Sequence, residues 1–179
     1  MKTLLTLFFV IFSFSLICAQ SASNSAGLGL FINNIDSDYG VGINAQSPYF
    51  IKKKIAISAR ASFQSLRYTD PFLGEDIEGY LNAQLGLIFK TLQKEHFRLY
   101  NELGLTIVSK PDDLSTTEEY DGVFTGAYVL FGFEYFYNFS GSCFLETGLH
   151  MAGARAEDLT NDPIYAQGFS LSVGVRAYL

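Results

Sequence analysis

The chain has 179 residues, a net charge of −6, 16 Gly, 11 Tyr, 17 Phe and no Trp. That length suits one domain, and the acidic balance leaves no basic surface for nucleic acid. Abundant Gly and aromatics, with little of the Ala/Leu/Glu/Lys periodicity of helices, exclude an ordinary helical protein and favour strands.

Residues 1–19 have the form of a secretory signal peptide. Lys2 is the charged start, Leu4 to Ile17 is apolar, and Cys18-Ala19 offers small residues before Gln20. The apolar run of about 14 residues falls short of the ~20 that a helical span needs. An acylated Cys18 is disfavoured because Ile17 stands where a small residue is expected. Cleavage after Ala19 leaves residues 20–179 as one barrel domain with Cys143 as its single cysteine, so no disulfide can form within it. No later segment reaches helical transmembrane length, so entry into a membrane would be by strands.

Eight segments then alternate apolar and polar residues with the period of a strand. They are Gly27–Asn34, Tyr39–Gln46, Lys54–Tyr68, Ile77–Lys90, Phe97–Ser109, Val123–Asn138, Ser142–Arg155 and Gly168–Leu179. The fourth is the clearest, with Ile77, Leu81, Leu85, Leu87 and Phe89 on one face and Glu78, Tyr80, Asn82 and Gln84 on the other. Ile88 intrudes on its polar face, and Phe144 does so in the seventh. In the last, Phe169, Leu171, Val173, Val175, Ala177 and Leu179 alternate with Ser170, Ser172, Gly174, Arg176 and Tyr178.

The connections alternate in length. Ser47–Lys53, Thr91–His96 and Phe139–Gly141 are compact. Thr69–Asp76, Lys110–Gly122 and Ala156–Gln167 are longer, and the short Ile35–Asp38 lies on their side. Such an alternation is expected of an outer-membrane barrel whose short turns and both termini are periplasmic. Most of the 18 acidic residues fall at the long-loop end: Asp36, Asp38, Asp70, Glu75, Asp76, Asp112, Asp113, Glu118, Glu119, Asp121, Glu157, Asp158 and Asp162. The opposite end carries Lys52, Lys53, Lys54, Lys90, Lys94 and Arg98 against Glu95, so the charge is polarised.

The polar faces carry charges of both signs, Arg60, Glu78, Arg98, Glu102, Glu134, Glu146 and Arg176, among Gly, Ser, Asn and Gln. That mixture suits a narrow lumen in which opposite charges pair. A soluble exterior would carry many Lys and Glu. A soluble lipocalin-like carrier, with its apolar face inward, is the first alternative. Phe89, Phe97, Tyr135, Tyr137 and Phe139 gather at the short-turn end as an interfacial girdle would.

With these residues in view, the chain resembles the small eight-stranded outer-membrane barrels of the OmpA/OmpX type, often grouped as porin-family proteins. The resemblance implies an all-β, eight-stranded antiparallel up-and-down transmembrane barrel in a Gram-negative outer membrane. The final strand resembles a barrel-assembly signal, with Ser172, Gly174, Ala177 and Leu179 in its places and Leu179 where Phe is usual. The Ala19-Gln20 junction resembles exported proteins of the Bacteroidetes group.

Chemistry is sparse. An eight-stranded barrel is just wide enough for side chains to fill, so a general diffusion pore is not expected. Some barrels of this size modify membrane lipids with a His, a Ser and a carboxylate, which is the second alternative. His150 lies on the inward face with Glu146 four residues before it, without an adjoining Ser or Asn to complete a nucleophile. His96 sits in a charged turn. The acidic loops lack the spacing of a calcium loop. No catalytic residue, cofactor or metal is assigned. The expected partners are outer-membrane lipids and the barrel-assembly machinery, with a monomeric chain and the extracellular partner left open.

Overall fold

The computed structural model describes residues 25–70, 74–109, 123–155 and 164–179, with the backbone alone at 68–70 and 74–76. The expected signal segment lies outside these residues, as do the acids Asp112, Asp113, Glu118, Glu119, Asp121, Glu157, Asp158 and Asp162.

Eight strands follow one another: β1 (Gly27–Ile35), β2 (Asp38–Gln46), β3 (Ile55–Asp70), β4 (Gly74–Gln93), β5 (Phe97–Ser109), β6 (Val123–Phe136), β7 (Gly141–Arg155) and β8 (Ile164–Tyr178). Each pairs antiparallel with the next, and β8 returns to β1, closing the barrel. The closing register runs from Gly27↔Tyr178 to Ile35↔Ser170. Closure removes both sheet edges, so backbone groups along the wall are satisfied by neighbouring strands.

The two faces are inverted relative to a soluble barrel. Leu105 is 68% exposed and Leu30 62%, whereas Arg98, Glu102 and Glu134 are 0% exposed. An apolar exterior around a charged interior is the arrangement of a membrane barrel and overturns the lipocalin-like alternative.

Several strand boundaries differ from the sequence expectation. The long connection expected over Thr69–Asp76 shrinks to 71–73, because the β3–β4 ladder continues to Asp70↔Gly74. Beyond the apolar belt a ladder needs only backbone pairing, so alternation no longer marks it. β8 begins at Ile164, four residues before Gly168. A register shift between Met151 and Ala154 interrupts period two there, and Gly153 and Ala166 have φ of 63° and 53°. β6 ends at Phe136, short of Asn138.

Asp38 is a further correction. Expected with the acids of the long-loop end, it is buried, and its Oδ2 accepts from Tyr80 Oη at 2.7 Å and from the Ala166 amide at 3.4 Å. The β1–β2 turn is only Asp36 and Ser37, with Asp36 at φ 57°, so Asp38 already has the inward parity of a strand residue.

The interior is layered. At the loop end Leu66, Tyr80, Val108, Ala154, Tyr165 and Ala166 form an apolar cap, with Phe124 and Ala152 packed on it. At the turn end Tyr49, Ala56, Ile88 and Tyr100 cluster, and Phe136 packs on Tyr178. Ile88, which breaks the polar pattern of its strand, is therefore part of the lower interior packing. The polar layer lies between these apolar ends.

Candidate functional site

The polar layer is built by register. Arg60 on β3 is paired to Gln84 on β4 and Asn44 on β2, while Glu102 on β5 and Glu146 on β7 face it from other parts of the wall. In the centre Arg60 Nη1 donates to Glu146 Oε2 at 2.5 Å and Nη2 to Glu146 Oε1 at 2.7 Å. The same guanidinium donates to Glu102, from Nη2 to Oε2 at 2.5 Å and from Nε to Oε1 at 3.2 Å. Each carboxylate has further donors. Ser58 Oγ and Tyr128 Oη reach Glu102 Oε1 at 2.5 and 2.7 Å, and Tyr100 Oη donates to Glu146.

A second cluster lies nearer the short turns. Glu134 accepts from Arg98, from Ser142 and from Arg176, the last at 3.2 Å. Tyr178 Oη donates to Glu134 Oε1 at 2.5 Å and itself accepts from Arg98. Arg176 also donates to Gln46 Oε1 at 3.0 Å and Asn44 Oδ1 at 3.3 Å, and lies over Phe144 at 4.6 Å. The Arg176–Glu146 approach of 3.9 Å joins the two clusters.

Three arginines thus meet three glutamates in one buried, charge-balanced system. Taking these charges out of water costs several kcal/mol per ion, and pairing with added hydrogen bonds offsets it. Of the seven charged residues read from the sequence, six are in this system. Glu78 lies higher, half-buried and opposite Leu66, toward the loop end.

Alternation shows which residues face inward but not how far each reaches. The phenols of Tyr100, Tyr128 and Tyr178 and the hydroxyls of Ser58 and Ser142, all on the polar face by parity, proved to be integral hydrogen-bond donors. Tyr100 reaches the centre because Gly132 lies opposite it, where a Cβ would run into the Tyr100 ring.

Tyr49 comes from the β2–β3 turn, residues 47–54, and is buried against Ala56, Ile88 and Tyr100 at the turn end. Its ring lies beneath Lys90 Nζ at 4.6 Å and the Arg98 guanidinium at 4.9 Å. Burial pushes its phenol up from the ordinary value.

His150 is buried inside the wall, stacked on Tyr128 with ring centroids 5.6 Å apart and an interplanar angle of 14°. Its Nδ1 has no hydrogen-bond partner among the described residues. The described hydrogen bonds of Glu146 go to Arg60 and Tyr100, not to His150. Among the described residues no three of His, Cys, Asp and Glu are grouped to hold a metal.

Ser172 lies on the inner face of β8, opposite Glu146 and Asn33, while Ala177 and Leu179 face outward at the turn end. Gly174 leaves room for the Phe144 ring.

Comparison with solved structures settles the architecture. The N-terminal β-barrel domain of Pseudomonas aeruginosa OprF aligns with a TM-score of 0.59 at 12% identity, over 87% of this chain and 98% of that one. OprG from Pseudomonas aeruginosa aligns at 0.61 and 10%, over 87% and 96%. Neisserial surface protein A aligns at 0.57 and 14%, over 87% and 95%. The fold is that of the small outer-membrane barrels. No protein-family model and no curated protein matches the sequence. At these identities the likeness is one of fold, and the lumen chemistry rests on this chain's own residues.

Proposed function

We propose that the chain is an integral protein of the bacterial outer membrane whose lumen is sealed by its ion-pair network. The observation that carries this reading is Arg60 of β3 bound to Glu146 of β7. In a ring of eight strands these lie on opposite walls, so the pair crosses the full width of the lumen. Buried clusters at the loop end and toward the short turns, above and below the ion pairs, support the same reading.

The role that follows is structural, with acidic loops available for surface contact. Diffusion of solutes and catalysis are not part of it. The chain is monomeric, with both termini and the short turns in the periplasm and the loop end outside. Its partners are outer-membrane lipids and the assembly machinery, which reads Ser172, Gly174, Ala177 and Leu179 on the last strand. Support comes from the apolar exterior, the polarised charge and the fold shared with outer-membrane barrels.

The test combines three readouts on one preparation. The folded protein should migrate differently before and after boiling, loop proteases should cut it on intact cells, and liposomes containing it should not swell in small sugars. Recovery in the soluble fraction without detergent would sink the membrane reading. Rapid swelling would sink the sealed lumen alone.

A further inference from the structure

The β2–β3 turn is both the most basic and the most strained part of the described wall. Ile51, Lys52 and Lys53 take φ of 43°, 57° and 58° in succession. Left-handed conformation costs an L-residue ~1–2 kcal/mol, and a β-branched residue there is a true outlier. The turn is held in place from both sides. Phe50 and Ile55 exchange hydrogen bonds at 2.7 and 3.2 Å, Lys54 N donates to Phe50 O at 3.2 Å, and Lys90 N donates to Lys54 O at 2.8 Å. Tyr49 anchors it under Lys90 and Arg98. The outcome is a fixed tip with Phe50 40% and Ile51 62% exposed, beside the exposed side chains of Lys52, Lys53 and Lys54. Apolar side chains next to basic ones are the chemistry of a membrane–water boundary.

On the outer wall a groove of about 720 Å³ runs across β8, β1, β2 and β3 and reaches the arms of that hairpin at Ala45, Ala59 and Ala61. Register creates it. Ala177↔Leu28, Leu28↔Ala45 and Ala45↔Ala59 place three alanines in one row with Leu28 across four strands. Ile43 and Val175 also line the groove, and Tyr137 stands at its turn-end mouth. Ala45 and Ala59 are on the two arms of the same hairpin whose tip carries the three lysines.

We propose that this hairpin binds one anionic phospholipid, with an acyl chain in the groove and the phosphate on Lys52, Lys53 and Lys54. A soluble acidic partner would match the lysines but leave the groove unexplained. A neutral lipid would match the groove but not the lysines. Only an acidic headgroup joined to an acyl chain uses both, and the Phe50-Ile51 pair marks the depth at which the two parts meet. The proposal rests on the membrane-barrel reading above.

The test is native mass spectrometry of the folded barrel purified from membranes, offered phosphatidylglycerol or phosphatidylcholine with the same acyl chains. Migration before and after boiling is checked first, because loss of that shift would count against the barrel and not against the lipid site. With the shift present, one phosphatidylglycerol should be retained about tenfold more strongly than phosphatidylcholine. The triple variant Lys52→Gln, Lys53→Gln, Lys54→Gln should lose that preference. Ala59→Phe, which fills the groove from the lipid side, should weaken retention of both lipids. Equal retention of the two lipids, an unchanged triple variant, or an Ala59→Phe protein that retains lipid as before would each overturn the proposal. Retention of an acidic soluble peptide in place of lipid would overturn it too.

Discussion

Arg60 and Glu146 are 86 positions apart in the chain and meet in the middle of the barrel through paired hydrogen bonds of 2.5 and 2.7 Å. A planar guanidinium facing a carboxylate in this two-point manner fixes orientation as well as charge. Because the partners come from opposite walls, the contact ties β3 to β7 across the lumen.

Arg60→Met should therefore be costly. It leaves Glu102 and Glu146 as buried carboxylates without their main cation, a loss of roughly 3–5 kcal/mol. The urea midpoint of the boiling-sensitive folded form measures it. Adding Glu102→Gln and Glu146→Gln to the same chain should restore most of the loss, since the uncompensated charges are then gone. A single variant that unfolds at the wild-type urea concentration would contradict the pairing.

Gly132 tests the reach of Tyr100. A side chain at this position meets the Tyr100 ring, whose hydroxyl donates to Glu146. Gly132→Val should cost roughly 1–3 kcal/mol through overpacking. Combined with Tyr100→Ala, the two losses should fall short of their sum by about 1 kcal/mol or more, because the clash disappears with the ring. Strict additivity in urea unfolding would show that the two residues do not share space.

Tyr49 carries a pH dependence whose sign is defined. Burial raises its phenol, so in the folded protein it keeps its proton to higher pH than in the unfolded chain. The unfolded phenol ionises near pH ~10. The contribution of this group is fully present below that pH and is lost as pH rises above it. Its Oη has no hydrogen-bond partner among the described residues. Tyr49→Phe should hold neutral-pH stability within about 1 kcal/mol. It should also reduce the fall in urea midpoint between about pH 8 and about pH 11. Parallel falls in the two proteins would argue against a buried Tyr49.

His150 separates a packing role from lipid chemistry. It stacks on Tyr128 inside the wall, away from the lipid face. His150→Ala should lower stability by roughly 1–2 kcal/mol, as expected for a truncated interior ring. The acylation pattern of outer-membrane lipids, read by mass spectrometry from cells expressing it, should not change. An altered pattern would revive the enzymatic alternative.

Much of this fold is legible in the sequence because a membrane enforces period two. Where lipid lies on one side and a packed polar lumen on the other, every second residue is constrained, and β5 shows its structural bounds, Phe97–Ser109, directly. Outside the belt that constraint lapses, which is why β4 extends past the expected Ile77–Lys90 to Gly74 at one end and Gln93 at the other. The bulge near Met151 and Ala154 hides the start of β8 for a related reason, because an extra residue inverts the parity.

The site was legible only in part. Parity picks out Arg60, Arg98, Arg176 and their glutamates, but which arginine meets which glutamate depends on strand stagger and on side-chain reach. Glu78 has the same parity as Gln84, yet lies opposite Leu66 and away from Arg60. Tyr49 gave no periodic signal, since it enters the lower mouth from a turn.

The most direct test of the account reads the two faces of β8 in a bilayer. In a Cys143→Ser background, single cysteines at positions 170 to 175 carry a fluorophore, and acyl chains brominated along their length act as quenchers. Labels at Leu171, Val173 and Val175 should be quenched strongly, while those at Ser170, Ser172 and Gly174 should not. Quenching in the opposite phase, or equal quenching at all positions, would contradict a barrel with a lipid-facing apolar wall and an inward polar face.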